Sequence, residues 1–276
     1  MSKKGRVGGT IGFILALALV GGTIAYSTMF DPYAAAKTKK PVGEATGNVI
    51  SAYSSQEGFE KTKQLVNDTM GTWFAPVQAN AVYKSYTLDF SIYGETTLTV
   101  EGETTVETME TKGSIYSDEN YTFIKVNSSQ ITAGKVQYTY EELFYVKSNN
   151  ATFERTLSYA QNPQDTSIIK DVEWEQQTTA SSDVELLGVI IGGLFQSADF
   201  WEFNVITGQF ELKDEYSDDV QASFTVGFSP RILLTNTEKE DDVGPAVVYS
   251  SYAFHYSNLN NTVVNVPETL KNKVGA

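Results

Sequence analysis

The chain has no cysteine and a single histidine, His255, among 276 residues. Disulfides, thiol catalysis and cysteine-based zinc sites are therefore excluded, as is any metal centre built on several histidines. Cations are scarce too: 20 Lys and Arg stand against 34 Asp and Glu, a net charge of −14. That balance argues against nucleic-acid binding, which needs cations to displace phosphate counterions. No Gly-x-Ser-x-Gly elbow, phosphate loop or dinucleotide fingerprint is found. His255 lies in a strand pattern with no triad motif around it and reads as structural. No catalytic residue, cofactor or metal is expected, and the protein reads as non-enzymatic.

What is present is a composition 41% hydrophobic and 12% aromatic, that of a folded chain. Residues 1–6 hold Lys3, Lys4 and Arg6, and an uncharged stretch follows over residues 7–30. Its 24 residues exceed the ~20 that a membrane-spanning helix needs. Preceding cations favour a cytoplasmic amino terminus, so the stretch is a signal anchor, with the bulk of the chain extracytoplasmic. Ala34-Ala35-Ala36 offers a cleavage site for the alternative of a cleaved signal and a secreted product. A pilin-type leader cut near Gly5 is a third reading. Gly8 and Gly12 match the small-residue spacing of membrane helix pairs, or are ordinary glycine use.

Residues 31–54 read as a linker, with Pro32, Pro41, Gly43 and Gly47 and no apolar period. Past residue 36, 17 basic face 33 acidic side chains, a balance of −16 that favours solubility. The acidic runs at Asp214, Glu215, Asp218, Asp219 and at Glu238, Glu240, Asp241, Asp242 lack the ordered spacing of a calcium loop. Five Asn-x-Ser/Thr sequons, at Asn67, Asn120, Asn127, Asn150 and Asn260, permit glycosylation if the host has the enzyme.

Residues 55–270 read as one β-rich domain, with 271–276 a polar tail. Ser54-x-x-Glu57 is a capping box; Phe59, Leu65, Val66 and Met70 follow at helical spacing, and Gly71 is a C-cap. The period then becomes two. Tyr86, Leu88, Phe90 and Ile92 share one face of a strand that Gly94 ends. Short strands are expected at 98–100, 104–111, 121–126, 136–140, 143–146 and 153–157, with turns at Gly102, Gly113, Asp118-Glu119-Asn120, Gly134 and Asn149-Asn150. A capping box at Ser182–Glu185 opens an apolar helix over 184–195, too short to span a bilayer and apolar nearly all round, so that it must be covered on every side. Strands resume at 201–206, 209–213, 220–228, 231–235 and 247–256. In the last, Tyr249, Ser251, Ala253 and His255 alternate with Tyr252, Phe254 and Tyr256. Glu173 and Glu175 flank Trp174 and read as exposed strand carboxylates rather than a glycosidase pair.

The strand Lys84-Ser-Tyr-Thr-Leu-Asp-Phe90, the order of elements, and the closing Tyr256-Ser-Asn-Leu-Asn260 with Val264-Asn-Val-Pro-Glu268 resemble the LolA/LppX-like group of bacterial lipoprotein-type proteins over roughly residues 55–270. The resemblance implies a mainly β (α+β) fold: a curved antiparallel sheet or half-barrel, with one or two covering helices around an apolar cavity for acyl chains. The chain departs from that group in lacking a lipobox cysteine. The expected ligand-binding walls are Leu187, Ile190, Ile191 and Leu194 on the helix and Phe90, Tyr252 and Phe254 on strands. The expected partners are the membrane, through the amino-terminal helix, and a lipid or other hydrophobic ligand. The alternative is a structural or adhesive surface protein with a solid β core.

Overall fold

A computed structural model describes residues 55–70, 73–100, 103–132, 135–162, 165–177, 192–216, 220–226, 230–240 and 246–275. The expected anchor, the linker and residues 184–191 of the apolar run 184–195 lie outside the described residues. Among those described, no helix is long and apolar enough to cross a membrane.

The chain is mainly antiparallel β. Helix α1 (Ser55–Thr69) precedes β1 (Tyr86–Val100), β2 (Glu103–Ser117), β3 (Tyr121–Thr132), β4 (Lys135–Val146), β5 (Ala151–Tyr159) and β6 (Glu175–Gln177). Then come β7 (Trp201–Asn204), β8 (Gln209–Leu212), β9 (Val220–Phe224), β10 (Arg231–Glu240) and β11 (Ala246–Ser257). All eleven lie in one open sheet of order β6-β5-β4-β3-β2-β1-β11-β10-β9-β8-β7. Except for β6 and β7, which form the two edges, each strand sits beside its sequence neighbours, and the first strand pairs the last. Among the described residues the order is that of a closed meander with one pairing missing, between β6 and β7. The chain that runs between those two edges is residues 178–200.

Two expected boundaries are corrected. Gly94 does not end a strand: β1 runs through it, held on both sides by Met109 and Ser250. Gly113 is not a turn but lies inside β2, opposite Phe90. A Cβ there would stand 2.5 Å from the Lys125 carbonyl oxygen and inside the Phe90 ring. Glycine inside a strand marks such a close approach. Similarly, 136–140 and 143–146 are one strand, β4, in which every residue from Tyr140 to Val146 is buried. Val205 and Ile206 fall beyond β7 in a hairpin turn, 81% and 92% exposed.

Directly opposed residues of an antiparallel pair share a face. One row therefore crosses ten strands: Phe203, Phe210, Phe224, Ile232, Phe254, Phe90, Gly113, Val126, Glu141 and Thr156. Helix α1 packs its Phe59, Leu65 and Val66, and the following Met70, on this face. Phe59, Phe195, Trp201, Phe210 and Phe224 form a ring cluster in which the Phe210 and Phe224 rings stack at 4.6 Å. Gly58 lets the helix approach, since a Cβ there would meet Val226 at 3.2 Å.

The opposite face carries a second, smaller core. Phe144, Val146, Phe153 and Trp174 are covered by Val264 and Leu270 of the carboxy-terminal stretch. Asp118 accepts the Val264 amide at 2.7 Å, and the Trp174 indole N–H donates to Thr269 Oγ1 at 3.0 Å. The helix Lys271–Val274 follows, and Lys273 Nζ donates to the Trp174 carbonyl.

Candidate functional site

The strand positions named from the sequence come together. Phe90 lies opposite Phe254 and Ile92 opposite Tyr252, so Phe90, Tyr252 and Phe254 share the face that α1 covers. Leu194, in the helical turn 192–194, packs against the same core, and its carbonyl accepts the Trp201 indole N–H at 2.8 Å. Leu187, Ile190 and Ile191 lie outside the described residues.

Toward the β6 edge the same face changes character. Next to the apolar floor of Ile115, Ile124, Val126 and Leu143 stand three carboxylates on adjacent strands. Glu141 follows Val126 in its row; Glu154 is opposite Leu143 on one side and Glu175 on the other. Glu141 is 2% exposed and its Oε1 has no hydrogen-bond partner. Burial first, and then the charge of Glu154, push its carboxyl up to about 8. Glu154 is likewise raised by burial, an effect that a 3.3 Å hydrogen bond from Thr156 opposes and the charge of Glu175 adds to. Thr152 Oγ1, two residues from Glu154 on this face, is buried without a partner as well. No group of three or more His, Cys, Asp or Glu among the described residues is placed to hold a metal ion.

Glu141 is hidden from the sequence pattern because expected strands at 136–140 and 143–146 leave it between them, without a phase. Carried through as one strand, the alternation puts Glu141 in register with Leu143 and Tyr145, an acid in an apolar series. Glu173 precedes β6, so only Glu175 of the Glu173/Glu175 pair is in a strand. Trp174 between them is buried under the Arg155 guanidinium, 4.5 Å from its ring.

The opposite face bears an open depression of about 450 Å³ beside the second core. Lys112, Lys125, Asn127, Tyr138 and Tyr140 line it. Its cations are already engaged: Lys112 with Glu110 at 3.1 Å, and Lys125 with Glu142 at 4.0 Å. His255, on the same side, lies between Asp89 and Arg231 on the neighbouring strands. Burial and then the Arg231 charge lower its pKa, against a smaller pull from Asp89.

No protein-family model matches the chain, and no curated protein matches it in sequence comparison.

Proposed function

We propose that this chain is a non-enzymatic, membrane-tethered extracytoplasmic domain that holds a lipid or other hydrophobic ligand. In this reading the open sheet curves into a half-barrel and residues 7–30 anchor it. The apolar helix 184–195 roofs the hollow, with Leu187, Ile190, Ile191 and Leu194 facing Phe90, Tyr252 and Phe254. One observation carries the reading. Among the described residues the meander lacks a single pairing, between β6 and β7, and the sequence between those two strands contains the most apolar run outside residues 7–30. An open edge beside an apolar stretch of sequence suits the entry of an apolar guest.

The rival reading, a display or adhesive domain with a solid core, is favoured by the filled aromatic cluster around Phe195, which is itself fully buried. Native mass spectrometry of the full chain released from membranes decides between them. A co-purified lipid, diminished in Leu194→Asp, is the expected result. A ligand-free chain that also takes up no added fatty acid or phospholipid overturns the proposal.

A further inference from the structure

We propose that Glu141 and Glu154 form a head-group subsite for a positively charged, ammonium-bearing amphiphile, entered from the β6 edge of the sheet. The inference rests on the apolar-ligand reading and adds the chemical class of the ligand.

Glu154 faces Glu175 directly across β5 and β6, and like charges so opposed destabilise a sheet. Glu141 stands on the next strand of the same face, where the charge of Glu154 acts on it, and no ion pair with a lysine or arginine relieves either carboxylate among the described residues. A buried charge without a partner is costly, and so is a buried polar atom without a hydrogen bond. Glu141 Oε1 and Thr152 Oγ1 are both such atoms, and both lie on this face.

The contrast within the molecule is informative. A second cross-strand glutamate pair, Glu202 opposite Glu211, lies on the other face. There Glu202 is exposed, and Glu211 accepts hydrogen bonds from Asn204 at 3.1 Å and Thr207 at 3.1 Å. Arg155 and Glu142, also on that face, neutralise each other at 2.7 Å. Only at Glu141 and Glu154, among the described residues, do buried acids meet with neither solvent nor cation.

An ammonium group satisfies this arrangement. It donates up to three hydrogen bonds, to Glu141 Oε1 and to the Glu154 carboxylate, and its charge favours the ionised form of both. The apolar floor begins one residue away, at Val126 and Leu143, so an acyl or alkyl chain attached to the ammonium lies on it. A carboxylate or phosphate head without a compensating amine is repelled by the same groups.

The test uses the full chain held in amphipol, titrated calorimetrically with octylammonium, octanol, octanoate and methylammonium. Octylammonium is expected to bind at least tenfold more tightly than octanol. Glu141→Gln with Glu154→Gln should bring that ratio close to one while leaving octanol binding unchanged. Glu202→Gln is the control for general attraction to an acidic protein and should leave the ratio intact. Above pH 8, where Glu141 must ionise, the empty double variant should also melt higher than the wild type, since it removes buried charge without a counterpart. Equal binding of octanol and octylammonium by the wild type overturns the subsite and leaves the apolar-ligand reading standing. Absence of octanol binding, with methylammonium still bound and lost in the double variant, overturns the apolar reading and keeps the carboxylate site. A lower melting point in the double variant at that pH also overturns the subsite, because it would mean that the pair serves the fold.

Discussion

The Tyr256 hydroxyl meets Thr69 Oγ1 at 2.7 Å, joining the last turn of α1 to β11 across 187 residues of chain. Tyr86, diagonal to Tyr256 on the neighbouring strand β1, adds a hydrogen bond from its own hydroxyl to the Thr69 carbonyl at 3.3 Å. All three residues are buried. The helix is thus fixed to the seam between the first and last strands by polar contacts as well as by Phe59 and Leu65. Tyr256→Phe should cost about 1–2 kcal/mol, the range for a lost buried hydrogen bond. A double-mutant cycle with Thr69→Val, followed by urea denaturation, should give a coupling of about 0.5–3 kcal/mol. Strict additivity would show that the contact contributes nothing.

Gly113 should tolerate no side chain. The Phe90 ring and the Lys125 carbonyl occupy the space a Cβ would need. Gly113→Ala is expected to destabilise by about 1–3 kcal/mol, the usual range for overpacking. A thermal midpoint equal to that of the wild type would contradict the packing described.

Arg155 and Glu142 should behave as a unit. Both side chains are 6% exposed, and two guanidinium nitrogens reach Glu142 Oε2 at 2.9 and 2.7 Å. Arg155→Met leaves the buried Glu142 carboxylate with only the Tyr140 hydroxyl at 3.2 Å and the half-exposed Lys125 at 4.0 Å, and should cost up to about 3–5 kcal/mol. Adding Glu142→Leu should recover much of that loss, which chemical denaturation of the single and double variants will read out.

The effect of pH on stability should carry the signature of Glu141. Its carboxyl is raised from 4.5 to about 8 in the folded chain. Between those values the native state holds a proton that the unfolded state has released, so stability falls as pH rises from about 4.5 to 8. The contribution is complete below the lower value and gone above the upper one. Lys147 acts in the next window. Burial lowers it from 10.5 to about 8, so the unfolded chain binds the proton that the native one lacks, and stability rises with pH between those values. Thermal melts from pH 4 to 10.5 should show the first slope vanish in Glu141→Gln and the second in Lys147→Met.

Much of the sheet was legible from alternation. The face shared by Tyr86, Leu88, Phe90 and Ile92 and the split of β11 into Tyr252, Phe254, Tyr256 against Ser251, Ala253, His255 follow directly from a period of two. Alternation failed where both faces are covered. In β4 the run Tyr140–Val146 is buried throughout, because the carboxy-terminal stretch packs on the side away from α1. A strand with two apolar surroundings has no polar beat to read. Glycine misled for a related reason. Gly94 and Gly113 resemble punctuation, yet the ladders on either side and the Phe90 ring account for them. The buried carboxylates belong to tertiary structure, since the distance between Glu141 and Glu154 in the chain says nothing of their shared face until the β4–β5 register is known.

The pairing of β1 with β11 has a consequence for how the chain assembles. Thr87 finds its partner Ser257 only when β2 to β10 have already been made. Until then β1 presents a bare edge fifteen residues long, the kind of template on which stray chains pair. Ladders between distant segments form slowly, so a nascent molecule must shield that edge until β11 is synthesised. Truncation before residue 246 should therefore yield an aggregating fragment rather than a smaller domain.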